Sequence, residues 1–179
     1  MARPRSAKRA KRKVVVAVSG GFDPVHVGHV RLFEAAKALG DELVVILNND
    51  HWLKKKKGAV FMPQEERAEI IQALAAVDRV VVTAHEPDPA DMSVCDALKV
   101  VRPHIFANGG DRKEGTIPED GVCREMNCTM TFGVGRGGKV QSSSELLQKY
   151  LEEARNAARD NKREEYLKSW YSGKRIKEG

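Results

Sequence analysis

From Val14 onward, short continuous apolar runs alternate with longer amphipathic segments. Val14-Val15-Val16-Ala17-Val18 and Leu43-Val44-Val45-Ile46-Leu47 are β-branched runs of the kind that lie in strands buried on both faces. Between them Val30, Leu32, Phe33, Ala36 and Leu39 recur at helical spacing, and Gly40 reads as the cap that ends the helix. A polar, lysine-rich loop is expected over 48–58. A helix then starts near Pro63 and buries Ile70, Ile71, Leu74 and Ala75, followed by a strand at Val80-Val81-Val82. Another helix over roughly Asp88–Val101 leads to a strand at His104-Ile105-Phe106-Ala107, and Met130-Thr131-Phe132 is a further short strand candidate. Strands alternating with helices imply right-handed βαβ crossovers. The expected fold is α/β, a doubly wound parallel sheet of Rossmann-like type. Ligands bind such sheets at the carboxyl ends of the strands, so 19–29, 48–58 and 108–115 should share one crevice.

After Ser143 the pattern becomes a long helix through Leu146, Leu147, Tyr150, Leu151 and Ala154. It ends in an aromatic patch at Tyr166, Leu167, Trp170 and Tyr171, which reads equally as a docking or dimer surface and as terminal core packing. The expected organisation is a disordered basic arm at 1–13, a main domain at 14–147 and a C-terminal helical extension at 148–179.

Charge sharpens this division. The 179 residues carry a net +6, but residues 1–13 hold seven basic side chains and no acid, while the rest is nearly balanced. The arm has too little apolar surface to offset its ordering entropy; RNA, an anionic surface or nothing at all are its candidate partners. No apolar run approaches the roughly 20 residues that span a bilayer. Cys95, Cys123 and Cys128 form an odd set with no secretory leader, which points to a reducing, cytoplasmic compartment. Zinc wants four ligands, and Cys123 and Cys128 have no second pair, so they read as buried thiols.

The chemistry concentrates in Gly20-Gly21-Phe22-Asp23-Pro24-Val25-His26-Val27-Gly28-His29. The glycine pair lets the backbone approach a ligand, and the helix that follows offers free N–H groups to an anion. His26 and His29 lie three apart and face one side of an opening turn. Two such donors suit a phosphorus centre whose oxygens gain charge during displacement. A metal pair is the alternative, with Asp23 as its nearby third ligand.

This segment resembles the G-x-F-D-x-x-H-x-G-H signature of the cytidylyltransferase-like nucleotidyltransferases. The likeness continues through Met62-Pro63-Gln64-Glu65-Glu66-Arg67, Ala76-Val77-Asp78-Arg79-Val80, Asn108-Gly109-Gly110-Asp111 and Gln141-Ser142-Ser143-Ser144, over roughly 14–147. It implies a transfer of CMP or AMP from CTP or ATP to a phosphorylated sugar or polyol, with release of pyrophosphate and with Mg²⁺ carried by the triphosphate. The glycerol-3-phosphate cytidylyltransferases and heptose-1-phosphate adenylyltransferases look nearest, and CTP is slightly favoured. Alternatives are a mononucleotide adenylyltransferase of the nicotinate type, or a non-catalytic nucleotide or RNA sensor. A fragment of a class I aminoacyl-tRNA synthetase is set aside because no tRNA-binding domain fits. A homodimer is expected, with no membrane partner and no nucleic acid substrate.

Residue by residue, the resemblance implies that His26 and His29 stabilise the transition state at the α-phosphate, assisted by Lys57 and Arg136. Lys57 is the last of four adjacent lysines, so its role belongs to it or to a neighbour; Lys139 is the alternative to Arg136. Gly20, Gly21, Phe22, Asp23, Gly109, Asp111, Ser142, Ser143 and Ser144 fall on the nucleotide side, with Asp23 holding the loop or orienting a phosphate-bound group. Asn48, Lys57 and Arg67 fall on the acceptor side, Arg67 either as a phosphate ligand or as a brace. Gly133-Val134-Gly135-Arg136-Gly137-Gly138 also spells G-x-G-x-x-G, but no acidic residue lies at the end of a second strand, so it reads as a phosphate-side loop.

Overall fold

The computed structural model describes residues 13–109, 117–135, 142–159 and 168. It comprises two compact units, 1–140 and 141–179. The first contains β1 (Val15–Gly20), α1 (Val27–Lys37), β2 (Glu42–Leu47), α2 (Asp50–Lys57), α3 (Gln64–Gln72), β3 (Arg79–Val82), α4 (Cys95–Val101), β4 (Ile105–Ala107), α5 (Glu119–Glu125) and β5 (Thr129–Thr131). The second contains α6 (Ser143–Arg159), which runs unbroken through 147 and 148, where the sequence suggests a boundary. Residues 1–12 of the basic arm and the aromatic patch fall outside the described residues.

The five strands are all parallel, in the order β3-β2-β1-β4-β5. The chain winds outward from β1 to β3, crosses back, and continues through β4 to β5, which puts the reversal of strand order between β1 and β4. Alternation along the central strands builds two cores. Val16, Val18, Leu43, Val45 and Leu47 pack with Phe33, Ala36 and Ile71 on one face. Ala17, Val44, Ile46 and Phe106 pack with Leu98, Val101, Cys123 and Cys128 on the other. Both faces of β1 and β2 are therefore dry, as their unbroken apolar runs require. The thiols are buried as expected, and burial pushes Cys123 up to about 12, leaving it protonated and inert.

Several elements depart from the sequence expectation. Residues 50–57 form a helix where a loop was expected, because Asn49 caps its start by accepting from the Trp52 N–H (3.0 Å) and Gly58, at φ 81°, ends it. Asp50 in the first turn and four lysines in the last match the helix dipole. In α3 the buried pair is Arg67 and Ile71, while Ile70 is exposed. Helix α4 starts at Cys95 rather than near Asp88, since Asp88 sits at φ 51° and Asp91 accepts from the Ser93 N–H and hydroxyl in a turn. Helix α1 is capped at Ala38, and Gly40 answers a different need: a Cβ there would lie 2.7 Å from the Val14 carbonyl oxygen.

Candidate active site

The loop between β1 and α1 is shaped by what lies beneath it. Phe22 takes φ 48° and turns its ring into the core, edge-on to Phe33 and His29 at centroid distances of 5.0 and 4.9 Å. The two glycines before it are required by packing: a Cβ on Gly20 would meet the Phe22 ring at 2.8 Å, and one on Gly21 would meet Leu53 Cδ2 at 2.7 Å. Their close approach is thus to the protein itself, a reason the sequence reading did not supply. Asp23 is buried and its carboxylate accepts from the N–H groups of Phe61 (2.9 Å) and Met62 (2.8 Å), which ties the loop to the segment before α3.

His26 and His29 form a reciprocal cap at the start of α1. His26 Nδ1 accepts from the Gly28 N–H (3.1 Å), and His29 Nδ1 accepts from the His26 N–H (3.2 Å). With both Nδ1 atoms occupied as acceptors, each neutral ring carries its proton on Nε2. The rings stack at 3.7 Å. Burial lowers the His29 pKa to about 3, with the neighbouring His26 and Lys57 charges adding to it; burial and Lys57 lower His26 as well. The helix cap and the chemistry are one arrangement: the contacts that start α1 also fix two neutral N–H donors side by side.

Of the four adjacent lysines, Lys57 reaches this loop, donating to the Asp23 carbonyl oxygen at 2.9 Å. All four are exposed, and Lys55 pairs with Asp88. Burial lowers the Lys57 pKa, opposed in part by Asp23. Arg67 is wholly buried and braces the crevice. Its Nε donates to Met62 O (2.9 Å), its Nη1 to Gly21 O (2.6 Å) and Asn48 O (2.8 Å), and its Nη2 to the Asp50 carboxylate (2.5 Å). One guanidinium thereby ties the loops after β1 and β2 to α3, the geometry of a brace.

Asn48 closes β2 with its N–H on Gly20 O (2.9 Å); its buried Oδ1 has no partner among the described residues. Gly109 follows β4, where a Cβ would crowd Leu32 Cδ1 at 2.9 Å. In the second unit Ser142 precedes α6 as the cap: its Oγ accepts from the Glu145 N–H (3.1 Å) and its own N–H donates to the Glu145 carboxylate (3.2 Å). Ser143 and Ser144 are the first two residues of that helix. Asp111, Arg136 and Lys139 lie outside the described residues. Among the described residues no group of three or more His, Cys, Asp or Glu side chains is arranged to hold a metal ion, and no helix is long and apolar enough to cross a membrane.

Sequence reasoning missed the contribution of 83–93. The Asn49 N–H donates to Thr83 Oγ1 (3.0 Å), Asn49 Nδ2 and His51 Nδ1 donate to His85 O (2.8 and 2.9 Å), and the Trp52 indole N–H donates to Met92 O (2.8 Å). The polar density of Asn48-Asn49-Asp50-His51 was the available signal, but its partners lie more than 30 residues away.

A parallel sheet with the strand order β3-β2-β1-β4-β5, and with paired N–H donors and a lysine beside the loop after β1, defines a doubly wound α/β protein. The family comparison is more specific: residues 17–122 match the cytidylyltransferase-like model, and the chain belongs to that family. It is 42% identical over 102 residues to an FAD synthase of Pyrococcus horikoshii, and 36% identical over 149 residues to the bifunctional protein HldE of Streptomyces coelicolor. These alignments cover 56% and 82% of this chain but only 66% and 30% of those proteins. An FAD synthase of Thermococcus sibiricus is 33% identical over 95% of its own length. Among solved structures, a lipopolysaccharide core biosynthesis protein of Thermoplasma volcanium superposes with a TM-score of 0.58 at 25% identity, covering 70% of this chain and all of that one.

Proposed function

We propose that this protein transfers a nucleotidyl group from a nucleoside triphosphate to the phosphate of a small-molecule acceptor, releasing pyrophosphate. The observation that carries the reading is the pair of stacked, neutral imidazoles with Nε2–H donors beside Lys57. An acceptor phosphate oxygen attacks the α-phosphorus, a P–O bond forms, and the bond to the β-phosphate breaks in line, its electrons leaving with pyrophosphate. A phosphate monoester is largely dianionic near neutral pH, its second pKa being about 6, so no protein base is required. The protein's task is to position the groups and neutralise charge. His26 and His29 would hold the α-phosphate oxygens and Lys57 a phosphate beside them. Arg136, or Lys139 in its place, would serve the β- and γ-phosphates with Ser142, Ser143 and Ser144. Gly109 and Asp111 would lie on the nucleotide side and Asn48 on the acceptor side. Mg²⁺ arrives with the triphosphate as part of the substrate.

The donor in this reading is ATP rather than CTP. FAD, the product named in the relatives, is AMP joined by one P–O–P bond to FMN, a ribityl phosphate that carries a flavin ring. FMN is therefore itself a polyol phosphate, within the acceptor class the sequence suggests. The test is pyrophosphate release from MgATP and MgCTP against FMN, glycerol 3-phosphate and a panel of sugar phosphates. His29→Ala should lower the rate about 10²- to 10³-fold. Wild-type turnover in that variant, or no release with any pair, would overturn the reading.

A further inference from the structure

Between the hydrophobic core and the loop after β1, four rings form one column. Phe33, wholly buried in α1, meets the Phe22 ring edge-on at 5.0 Å, and Phe22 meets the His29 imidazole edge-on at 4.9 Å. Edge-on pairs at such separations are a favourable aromatic geometry. His29 then stacks on His26 at 3.7 Å, with 28° between the ring planes. Phe22 is 5% exposed and fills the room that Gly20 leaves by lacking a Cβ, so the inner rings are fixed by the core. His26, at the outer end, is only half-buried, and what it rests on is Gly28.

A Cβ on Gly28 would stand 2.8 Å from His26 Cε1 and 3.0 Å from its Nδ1, too close for the ring to stay where it is. Glycine has no backbone purpose at this position. Gly28 lies in the first turn of α1, outside the left-handed region that favours glycine, and inside a helix alanine is the more stable residue. The space is used by the imidazole instead, whose Nδ1 accepts the Gly28 N–H at 3.1 Å. The two donors are therefore held from opposite ends, His29 by a buried ring and His26 by a missing side chain.

We propose that Gly28 and Phe22 are positioning residues of the donor pair: Gly28 seats the His26 imidazole by having no side chain, and Phe22 holds the His29 imidazole from the core side. Together they keep the two rings stacked with a proton on each Nε2. The consequence for turnover rests on the transfer reading above, whereas the ring geometry is testable without it.

Gly28→Ala separates this role from a merely structural one, because the helix gains from alanine while the His26 ring loses its seat. The variant should melt within about 4 °C of the full-length wild type. Its kcat for pyrophosphate release, with the acceptor that serves best in the panel above, should fall at least about tenfold, with a much smaller change in KM for the triphosphate. Imidazole ¹⁵N resonances followed against pH read the rings directly. In the wild type both rings should show a fixed Nε2–H, with His26 titrating below its ordinary 6.5 because of burial and Lys57. In Gly28→Ala the His26 resonances should move toward 6.5 and a mixture of tautomers. In Phe22→Leu, which keeps an apolar side chain but removes the ring edge, His29 should titrate well above its wild-type value of about 3, again with lower kcat. A folded Gly28→Ala with wild-type His26 resonances would overturn the seating, whether turnover survived or was lost. If that variant failed to fold by circular dichroism, Phe22→Leu would decide, and an unmoved His29 there would sink the proposal. Displaced rings in both variants, with no pyrophosphate released by the wild type from any pair, would keep the positioning and overturn the transfer reading instead.

Discussion

At the scale of single residues, His29 shows how a fold sets a proton. Its Nδ1 is committed to the His26 backbone, Phe22 lies edge-on to it, and burial beside His26 and Lys57 brings its pKa down to about 3. In the unfolded chain it titrates near its ordinary 6.5. Above that value both states are neutral and its contribution to stability is complete. Below it the unfolded chain takes up the proton first, so stability falls as pH falls toward 3, at up to about 1.4 kcal/mol per pH unit. Urea unfolding of the wild type at pH 7.5 and 5.0 should therefore show a loss from this residue of about 2 kcal/mol that His29→Gln lacks. Equal losses in the two proteins would mean that the ring is not held neutral. Arg67 makes the complementary point about charge: a guanidinium buried in the crevice need not face substrate, and here its bonds run to three backbone carbonyl oxygens and one carboxylate.

At the scale of elements, α2 deserves comparison with β1 and β2. Both strands were legible because a strand buried on two faces needs every side chain apolar, and Val16–Val18 and Leu43–Leu47 are all fully buried. An eight-residue helix that buries only Leu53 leaves no periodicity to read, and its four lysines look like a solvated loop. What defines it is its ends, Asn49 and Gly58, and these place Lys57 beside the first loop. Gly58 sits at φ 81° with no atom within 4 Å of where a Cβ would stand. Gly58→Ala therefore meets no clash and should cost only the left-handed strain, about 1 kcal/mol, a fall of roughly 2–4 °C in Tm. A larger loss would mean that the turn, and not its one strained residue, holds α2 in place. The short α5 escaped the sequence reading for the same reason as α2, seven residues being too few for a period. The start of α1 was legible because the contacts that shape it lie within His26–His29, whereas the bonds of Asn49, His51 and Trp52 to 83–93 were not, since only the fold brings those segments together.

At the scale of the whole molecule, the net charge says little about the reaction. Residues 1–12 carry six basic side chains and no acid, so their removal takes the chain from +6 to zero. The described fold begins just after them: the Val14 N–H donates to the Asp41 carboxylate at 2.8 Å, and the Val14 carbonyl oxygen accepts from the Asp41 and Glu42 N–H groups at 2.8 and 3.1 Å. The transfer reading draws its positive charge from Lys57 and from Arg136 or Lys139, none of which belongs to the arm. A chain lacking residues 1–12 should therefore unfold within about 0.5 kcal/mol of the full-length protein and release pyrophosphate at the same rate in 0.15 M salt. Any affinity of the full chain for RNA should disappear with the arm, and before removal it should fall steeply as salt is raised. Calorimetry, the release assay and a filter-binding titration at two salt concentrations separate these effects. If deletion lowered turnover while leaving the melting curve unmoved, the arm would belong to the site, and the basic end of the chain would have to be counted among the groups that neutralise the triphosphate.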